Sequence, residues 1–390
     1  MLTGIRVIDV GSFITAPLAA MMLGDFGADV IKLERPAGDP FRRSHGDDYG
    51  PTFCAYNRNK RSIVIDATTA AGRAIQDRLL DTADILIDNM RPAALEKLGF
   101  SPARLRAKYP RLIHCSITGF GSTGPDRARP AFDSVGQALS GISSLFVDPD
   151  HPESIGPTIS DTATAMYAAY AIMGALHQRS RTGLGQRLEV NMLEASIAFI
   201  QDRFAEFTQT GTVSDRYTRP SRSQCFSLRC KDGGLISLHL STTEKFWRSL
   251  IEALEAPHLL SDHRFLRHSD RTKNYRVLRD ELAQLFQRRS RAEWSQRLSV
   301  ADVPYAPIHR VDEVLADPQV AALQTTVTMK HPQRGDVIGI DCPVLADGRR
   351  LNSNMRAPPL LGEHTQAILD ELNSSTRLDR TEHLTEHDNG

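Results

Sequence analysis

The sequence predicts an α/β protein, with a Rossmann-like, doubly wound parallel sheet first and a smaller α/β domain after it. Three observations predict this. From Ile5 to Thr118 short apolar runs alternate with amphipathic helical patterns, the order that a parallel sheet with right-handed crossovers requires. Residues 208–224 are rich in Thr, Ser, Arg and Gly with few apolar positions, which reads as a linker. A new pattern then begins with two apolar runs around Asp232-Gly233-Gly234, a hairpin turn signal.

In order, Ile5 to Val10 reads as a strand, Ala16 to Asp25 as a helix, and Val30 to Leu33 and Ile63 to Asp66 as strands. Gly27 supplies the left-handed residue that ends the first helix. Ala70 to Thr82 follows as a helix, with strands at Ile85 to Asp88 and Leu112 to Thr118. Asp161 to Arg179 is a long helix, apolar on nearly every side, so it is expected to be covered all round. Leu188 to Met192 is a strand leading into a helix from Leu193 to Phe207. Beyond the linker, helices are expected at Phe246 to Leu254, Tyr275 to Arg288 and Arg291 to Leu298, and strands at Thr325 to Met329 and Asp336 to Ile340. A final helix runs to about Leu372, and the polar residues after it are expected to be disordered.

The chain has 390 residues, and 47 Lys+Arg balance 47 Asp+Glu. That balance argues against a nucleic-acid binder, which carries a basic excess, and against a solvating disordered chain, which carries an excess of one sign. Asp9 interrupts the first apolar run, so no signal-peptide pattern is expected. The longest uncharged helical stretch, Thr162 to Leu176, is too short for a membrane span. Five scattered cysteines with no Cys-x-x-Cys pair point to a reducing cytoplasm.

Gly119-Phe-Gly121-Ser-Thr-Gly124 matches a dinucleotide fingerprint literally, but Pro125 and Pro130 follow where a helix should open, so it reads as a glycine-rich loop. No Gly-x-Ser-x-Gly or Walker sequence is present. His258, His263 and His268 step by five, which spreads them round a helix, and no cysteine lies near; no metal site is expected.

Asp161 opens the apolar helix. One reading is a helix N-cap, whose oxygen accepts orphan backbone N–H groups. The other uses the same placement: the dipole holds the carboxylate ionised, and an ionised, mostly buried carboxylate is a nucleophile. Between residues 35 and 65, Arg35, Arg42, Arg43, Arg58, Lys60 and Arg61 outnumber Asp39, Asp47 and Asp48. Arg35 follows the second strand, and Asn89-Met90-Arg91 follows a later one with Lys97 beyond. These groups read either as a clamp for nucleotide phosphates or as solvated surface charge.

The chain resembles the class III CoA-transferases, the family of formyl-CoA transferase, carnitine CoA-transferase and the α-methylacyl-CoA racemases. The matching stretches include Gly4-Ile-Arg-Val-Ile-Asp9, Leu23-Gly-Asp-Phe-Gly-Ala-Asp-Val-Ile-Lys-Leu-Glu34, Asn57-Arg-Asn-Lys-Arg-Ser62, Arg181-Thr-Gly-Leu-Gly-Gln186 and Ala357-Pro-Pro-Leu-Leu-Gly-Glu-His-Thr365, in family order over about residues 4 to 370.

The resemblance implies a large Rossmann-like domain built from both chain ends, a small domain inserted between, and a homodimer of interlocked subunits. It divides the chain into a CoA-binding domain at 1–207, the linker at 208–224, a small α/β domain at 225–320, a return to the large domain at 321–372 and a disordered tail at 373–390. It implies Asp161 as nucleophile, and Ile14, Arg35, Ile65, Asn89, Met90 and Lys97 as contacts of coenzyme A, with Arg91 added beside them. Formyl-CoA transferase has glutamine where Ile14 stands, which argues against oxalate and formate. The implied reaction moves CoA from an acyl-CoA to a carboxylic acid through an aspartyl-CoA thioester, with small dicarboxylates a first set to test. Two rivals stand beside it. A racemase would place a proton-accepting histidine where this chain has Phe132, before Asp133. A non-catalytic CoA-binding homologue would keep the fold without the chemistry.

Overall fold

Val7 and Ile8 are neighbours in strand β1 (Arg6–Asp9), and their side chains enter different cores on opposite faces of one sheet. Val30 and Ile31 of β2 (Asp29–Glu34) divide in the same way, as do Leu86 and its two isoleucine neighbours in β4 (Ile85–Asp88). A continuous apolar run with side chains alternating in direction fits a sheet covered on both faces. In this computed structural model, which describes residues 1–374 except 45, 47, 242, 243 and 352–354, β3 (Lys60–Val64), β5 (Ile113–Thr118) and β6 (Arg187–Asn191) complete a six-stranded parallel sheet of order β3-β2-β1-β4-β5-β6.

One face carries α1 (Thr15–Asp25), and the other carries α3 (Ala70–Asp81), α4 (Pro92–Lys97) and α5 (Pro102–Lys108). The short α2 (Pro51–Tyr56) precedes β3. Local chemistry fixes the starts of these helices. Pro51, Pro92 and Pro102 sit in the first turn, where a missing N–H costs nothing. The hydroxyls of Thr69 and Ser101 accept from the N–H groups of Gly72 and Arg104.

Two helices then precede β6 in the chain. The seven-residue α6 (Asp133–Leu139) crosses the start of α7 (Ile159–Thr182), which ends on Gly183 in the left-handed region, φ 73°. Ala165, Ala168, Ile172 and Ala175 pack α7 against the sheet and α1. Within this one chain α7 is covered on one side only: Met166, Tyr167, Tyr170 and Met173 are exposed, because only the small-residue stripe lets α7 close onto its own chain. The single helix expected over Leu193 to Phe207 is two, α8 (Met192–Phe199) and Gln201–Thr210, parted at Ile200.

The chain divides into two units. The first holds the parallel sheet and comprises Met1–Ile142, Gly156–Ile200 and the chain from Gln324 onward. Its last segment is tied to β3 by side chains: the N–H of Val64 donates to Thr365 Oγ1, that of Gly362 to Ser62 Oγ, and Arg61 pairs with Glu371. Residues 365–374 are helical. The tail expected to be disordered lies outside the described residues from 375 on. The second unit, Ser143–Ile155 with Gln201–Leu323, folds helices onto a three-stranded antiparallel sheet of β7 (Cys225–Arg229), β8 (Leu235–His239) and β9 (Tyr305–Pro307). Asp232-Gly233-Gly234 lies in the β7–β8 turn as the sequence predicts, and Trp247, Trp294, Phe226 and Phe286 centre its core. Helix Thr218–Ser223 falls inside the stretch read as a linker.

Candidate active site

Open α/β sheets bind ligands beyond the carboxyl ends of their strands, where the strand order reverses. Here the reversal lies between β1 and β4, and a cavity of about 780 Å³ opens there. The segments after β1, β2, β3, β4 and β5 all reach its wall, as does Asp161 from the first turn of α7. Such a volume suits a sizeable organic ligand.

Of the residues named from the sequence, Ile14, Arg35, Ile65, Asn89, Met90 and Arg91 line this cavity together with Asp161. Lys97 does not: it is exposed at the end of α4, and Ala94 and Leu98 reach the wall in its place. Ile14 and Ile65 are buried apolar wall. Asn89 is engaged within the chain. Its amide nitrogen donates to the Ser12 carbonyl (2.7 Å) and to Thr15 Oγ1 (3.0 Å), and its oxygen accepts from Ser12 N (3.0 Å). Arg35 and Arg91 are the exposed cations among these sequence-named residues of the wall.

The local excess of positive charge between residues 35 and 65 is not a free phosphate surface. Arg42 forks onto Glu34, Arg58 onto Asp25, and Arg61 onto Asp29 and Glu371; Arg43 pairs with Asp48. Lys60, fully buried, donates to Asp9 Oδ2, Asn57 Oδ1 and the Pro17 carbonyl, each at 2.8 Å. Lys32 lies between Asp9 (3.6 Å) and Asp39 (3.1 Å) and donates to the Gly11 carbonyl. Of the six cations between residues 35 and 65 only Arg35 reaches the cavity wall, beside the buried Lys32. Arg42, Arg58, Lys60 and Arg61 hold the fold, since a buried ion must be paired, and Arg43 makes an exposed surface pair.

Asp161 has the opposite surroundings. It is the third residue of α7, so the N-cap reading is corrected: Thr158 is the cap residue, and its side chain makes no capping bond. The N–H of Asp161 donates instead to Asp133 Oδ1 at 3.2 Å. Asp133 opens α6, and its other oxygen accepts from Gln137 Nε2, which also donates to the Pro157 carbonyl. The two helix starts meet closely because residue 136 is glycine; a Cβ there would lie 3.0 Å from Ser160 Oγ. No cation pairs with Asp161 among the described residues. Burial, and next the charge of Asp133, push its carboxyl up to about 6. These two effects outweigh the helix dipole, which was expected to hold the group ionised.

The rest of this end comes from the two loops after β1 and β5. Gly119 is glycine because Ala131 lies against it, and a Cβ at 119 would meet the Ala131 methyl at 2.4 Å. That approach closes the glycine-rich loop and brings Arg127, Arg129 and Phe132 to the wall. In the β1 loop Phe13 has φ 65°, a left-handed conformation that costs a bulky residue of the order of 1–3 kcal/mol. The loop is fixed on both sides: Gly11 N donates to Asp9 Oδ1, Lys32 donates to Gly11 O, and Asn89 brackets Ser12. The Phe13 ring meets Phe41 and Phe132 edge to face, at 5.3 and 5.6 Å. The sequence reading had not given these residues a place in the site. The only local signal was the Phe132-Asp133 pair, noticed for the histidine it lacks.

Among the described residues no cluster of His, Cys, Asp or Glu is arranged to hold a metal ion, and no helix is long and apolar enough to cross a membrane. The sequence matches the family model of CoA-transferase family III over residues 2–365. It is 30% identical to the succinyl-CoA:glutarate CoA-transferase of Homo sapiens, over 95% of this chain and 86% of that protein. It is 33% identical to the succinyl-CoA–D-citramalate CoA-transferase of Chloroflexus aurantiacus, over 86% of this chain and 85% of that one. Among solved structures, a CAIB/BAIF family protein from Brucella suis superposes with a TM-score of 0.85 at 32% identity, covering 95% of this chain and 99% of the other.

Proposed function

The chain belongs to CoA-transferase family III and is an enzyme, and we propose that it transfers CoA from an acyl-CoA to a carboxylic acid through a covalent intermediate on Asp161. The single observation that carries this reading is a half-buried carboxylate with no cation partner among the described residues, held in the first turn of α7 on the wall of a cavity suited to a large ligand. An Asp161 oxygen attacks the thioester carbonyl and CoA leaves as thiolate, giving a mixed anhydride. The thiolate attacks the aspartyl carbonyl, the donor acid departs as carboxylate, and an aspartyl-CoA thioester remains. The acceptor carboxylate attacks that thioester and the steps run backwards, so the thioester activation is conserved. A pKa near 6 favours this chemistry: the group is ionised at neutral pH, yet more basic than an ordinary aspartate.

The CoA moiety lies toward Arg35 and Arg91, whose cations suit its phosphates, with Met90, Ile14 and Ile65 as apolar wall. Asn89 serves this end by bracing the β1 loop. Lys97 contributes long-range charge, since it stands off the wall. Small dicarboxylates are the acids to test first. The two curated relatives above act on succinyl-CoA with glutarate or D-citramalate by name, and Arg127 and Arg129 bring positive charge to the cavity. Phe132 has no proton-accepting atom, which disfavours the racemase reading. A homodimer is also proposed: Met166, Tyr167, Tyr170 and Met173 form an uncovered apolar face on α7.

The test is to incubate the enzyme with succinyl-CoA and a panel of mono- and dicarboxylic acids and follow new thioesters by mass spectrometry. Transfer to at least one dicarboxylate is expected. Exchange of a 2-methylacyl-CoA α-proton with deuterium oxide, without acceptor and without transfer, would replace this reading with the racemase.

A further inference from the structure

The Asp161 thioester proposed above has two fates, attack by the acceptor acid and attack by water, and the productive one needs water excluded. Three features bear on the cavity that Asp161 lines. Phe13 is held in a left-handed backbone conformation, φ 65°, by hydrogen bonds that fix Gly11 and Ser12 before it. Its ring stands between Phe41, which packs on the core, and Phe132, a residue 61% exposed. Phe132 precedes Asp133, the residue whose carboxylate takes the N–H of Asp161, and Phe13, Phe132 and Asp161 line one cavity. A core-packed aromatic thus supports an exposed one at the cavity wall, at the cost of backbone strain that the core alone does not require.

We propose that the Phe13–Phe132 pair is the water seal of the covalent site, setting the partition of the aspartyl-CoA thioester between transfer and hydrolysis. In the leak it prevents, a water oxygen bonds to the aspartyl carbonyl carbon and the C–S bond breaks. CoA takes up one proton of the water and leaves as thiol, the other proton passes to solvent, and Asp161 returns as carboxylate carrying the water oxygen. The inference rests on Asp161 being the nucleophile.

The experiment measures free thiol released against acyl-CoA transferred, in one reaction, for the wild type, Phe132→Ala, Phe132→Leu and Phe13→Gly. Glycine accepts the backbone angle at 13, so that variant removes the ring without adding strain. The hydrolysis-to-transfer ratio is expected to rise about tenfold or more in Phe132→Ala and Phe13→Gly, and to stay within about twofold of wild type in Phe132→Leu, which restores apolar bulk. In ¹⁸O-labelled water the leaking variants gain label on the peptide containing Asp161. Ratios unchanged within twofold in both leaking variants, with transfer retained, overturn the seal while leaving the nucleophile intact. Absence of any CoA adduct on Asp161 in the wild type overturns both.

Discussion

Asp9 and Asp161 belong to the same unit and have opposite surroundings. Asp9, fully buried, faces Lys60 and Lys32 and accepts the N–H of Gly11, and these partners hold its carboxyl below the usual range against the effect of burial. Asp161 is half-buried, faces the carboxylate of Asp133, and is pushed up to about 6. The difference separates structural from chemical charge. A carboxylate whose lone pairs are matched by cations stabilises the fold and has little left for an electrophile. One set beside a like charge is destabilised as an anion and gains from becoming a neutral thioester.

The comparison breaks first at Asp161. Asp161→Ala should lower transfer by roughly 10³-fold or more, while CoA binding, measured by calorimetry, persists. Its isostere sharpens the contrast through stability. A carboxyl raised in the folded state stabilises it fully below the unfolded pKa, and that contribution is lost as pH rises through about 6. By pH 7 up to about 3 kcal/mol is lost, an upper figure for a half-buried group. Asp161→Asn removes that loss, so its Tm should exceed wild type at pH 7 and the gap should close toward pH 4. Lys60→Met should do the reverse: stability falls by about 3–5 kcal/mol, because Asp9 is left without its nearest cation. Urea unfolding reads this directly.

Asp133 gives the smallest effect. Transfer should fall as pH drops through about 6, when Asp161 takes up a proton. Asp133→Asn removes the nearby charge but leaves burial, so the acid limb should move down in pH by a fraction of the whole shift. A pH–rate profile that does not move would show that burial alone sets the nucleophile.

The sheet was legible because alternation along β1, β2 and β4 is a local signal: adjacent residues such as Val7 and Ile8 enter opposite cores. Asp161 stands out in the sequence as a lone acid opening a long alanine-rich helix, but that placement alone also fits an N-cap, and its reading as nucleophile comes from the family resemblance. Its surroundings were not legible. Asp133 precedes it by 28 positions and Glu371 follows Arg61 by 310, and no local pattern encodes such pairings. The run of cations at 35–65 therefore read either as a phosphate clamp or as solvated surface charge, although register sets Arg61 opposite Ile31, two residues from the Asp29 it pairs with, and the fold places Asp9 beside Lys60. Phe13 was missed for another reason: a left-handed backbone angle at phenylalanine contradicts its intrinsic preference, and only the bonds around it impose it.

The central claim is that Asp161 carries CoA covalently, and the most direct measurement is peptide-resolved mass spectrometry. The enzyme is mixed with succinyl-CoA, without acceptor, and quenched in acid. The account predicts a CoA adduct on the peptide containing Asp161 that disappears when the acceptor acid is added, and no adduct in Asp161→Ala. An adduct on another residue, or undiminished transfer by Asp161→Ala, would contradict it.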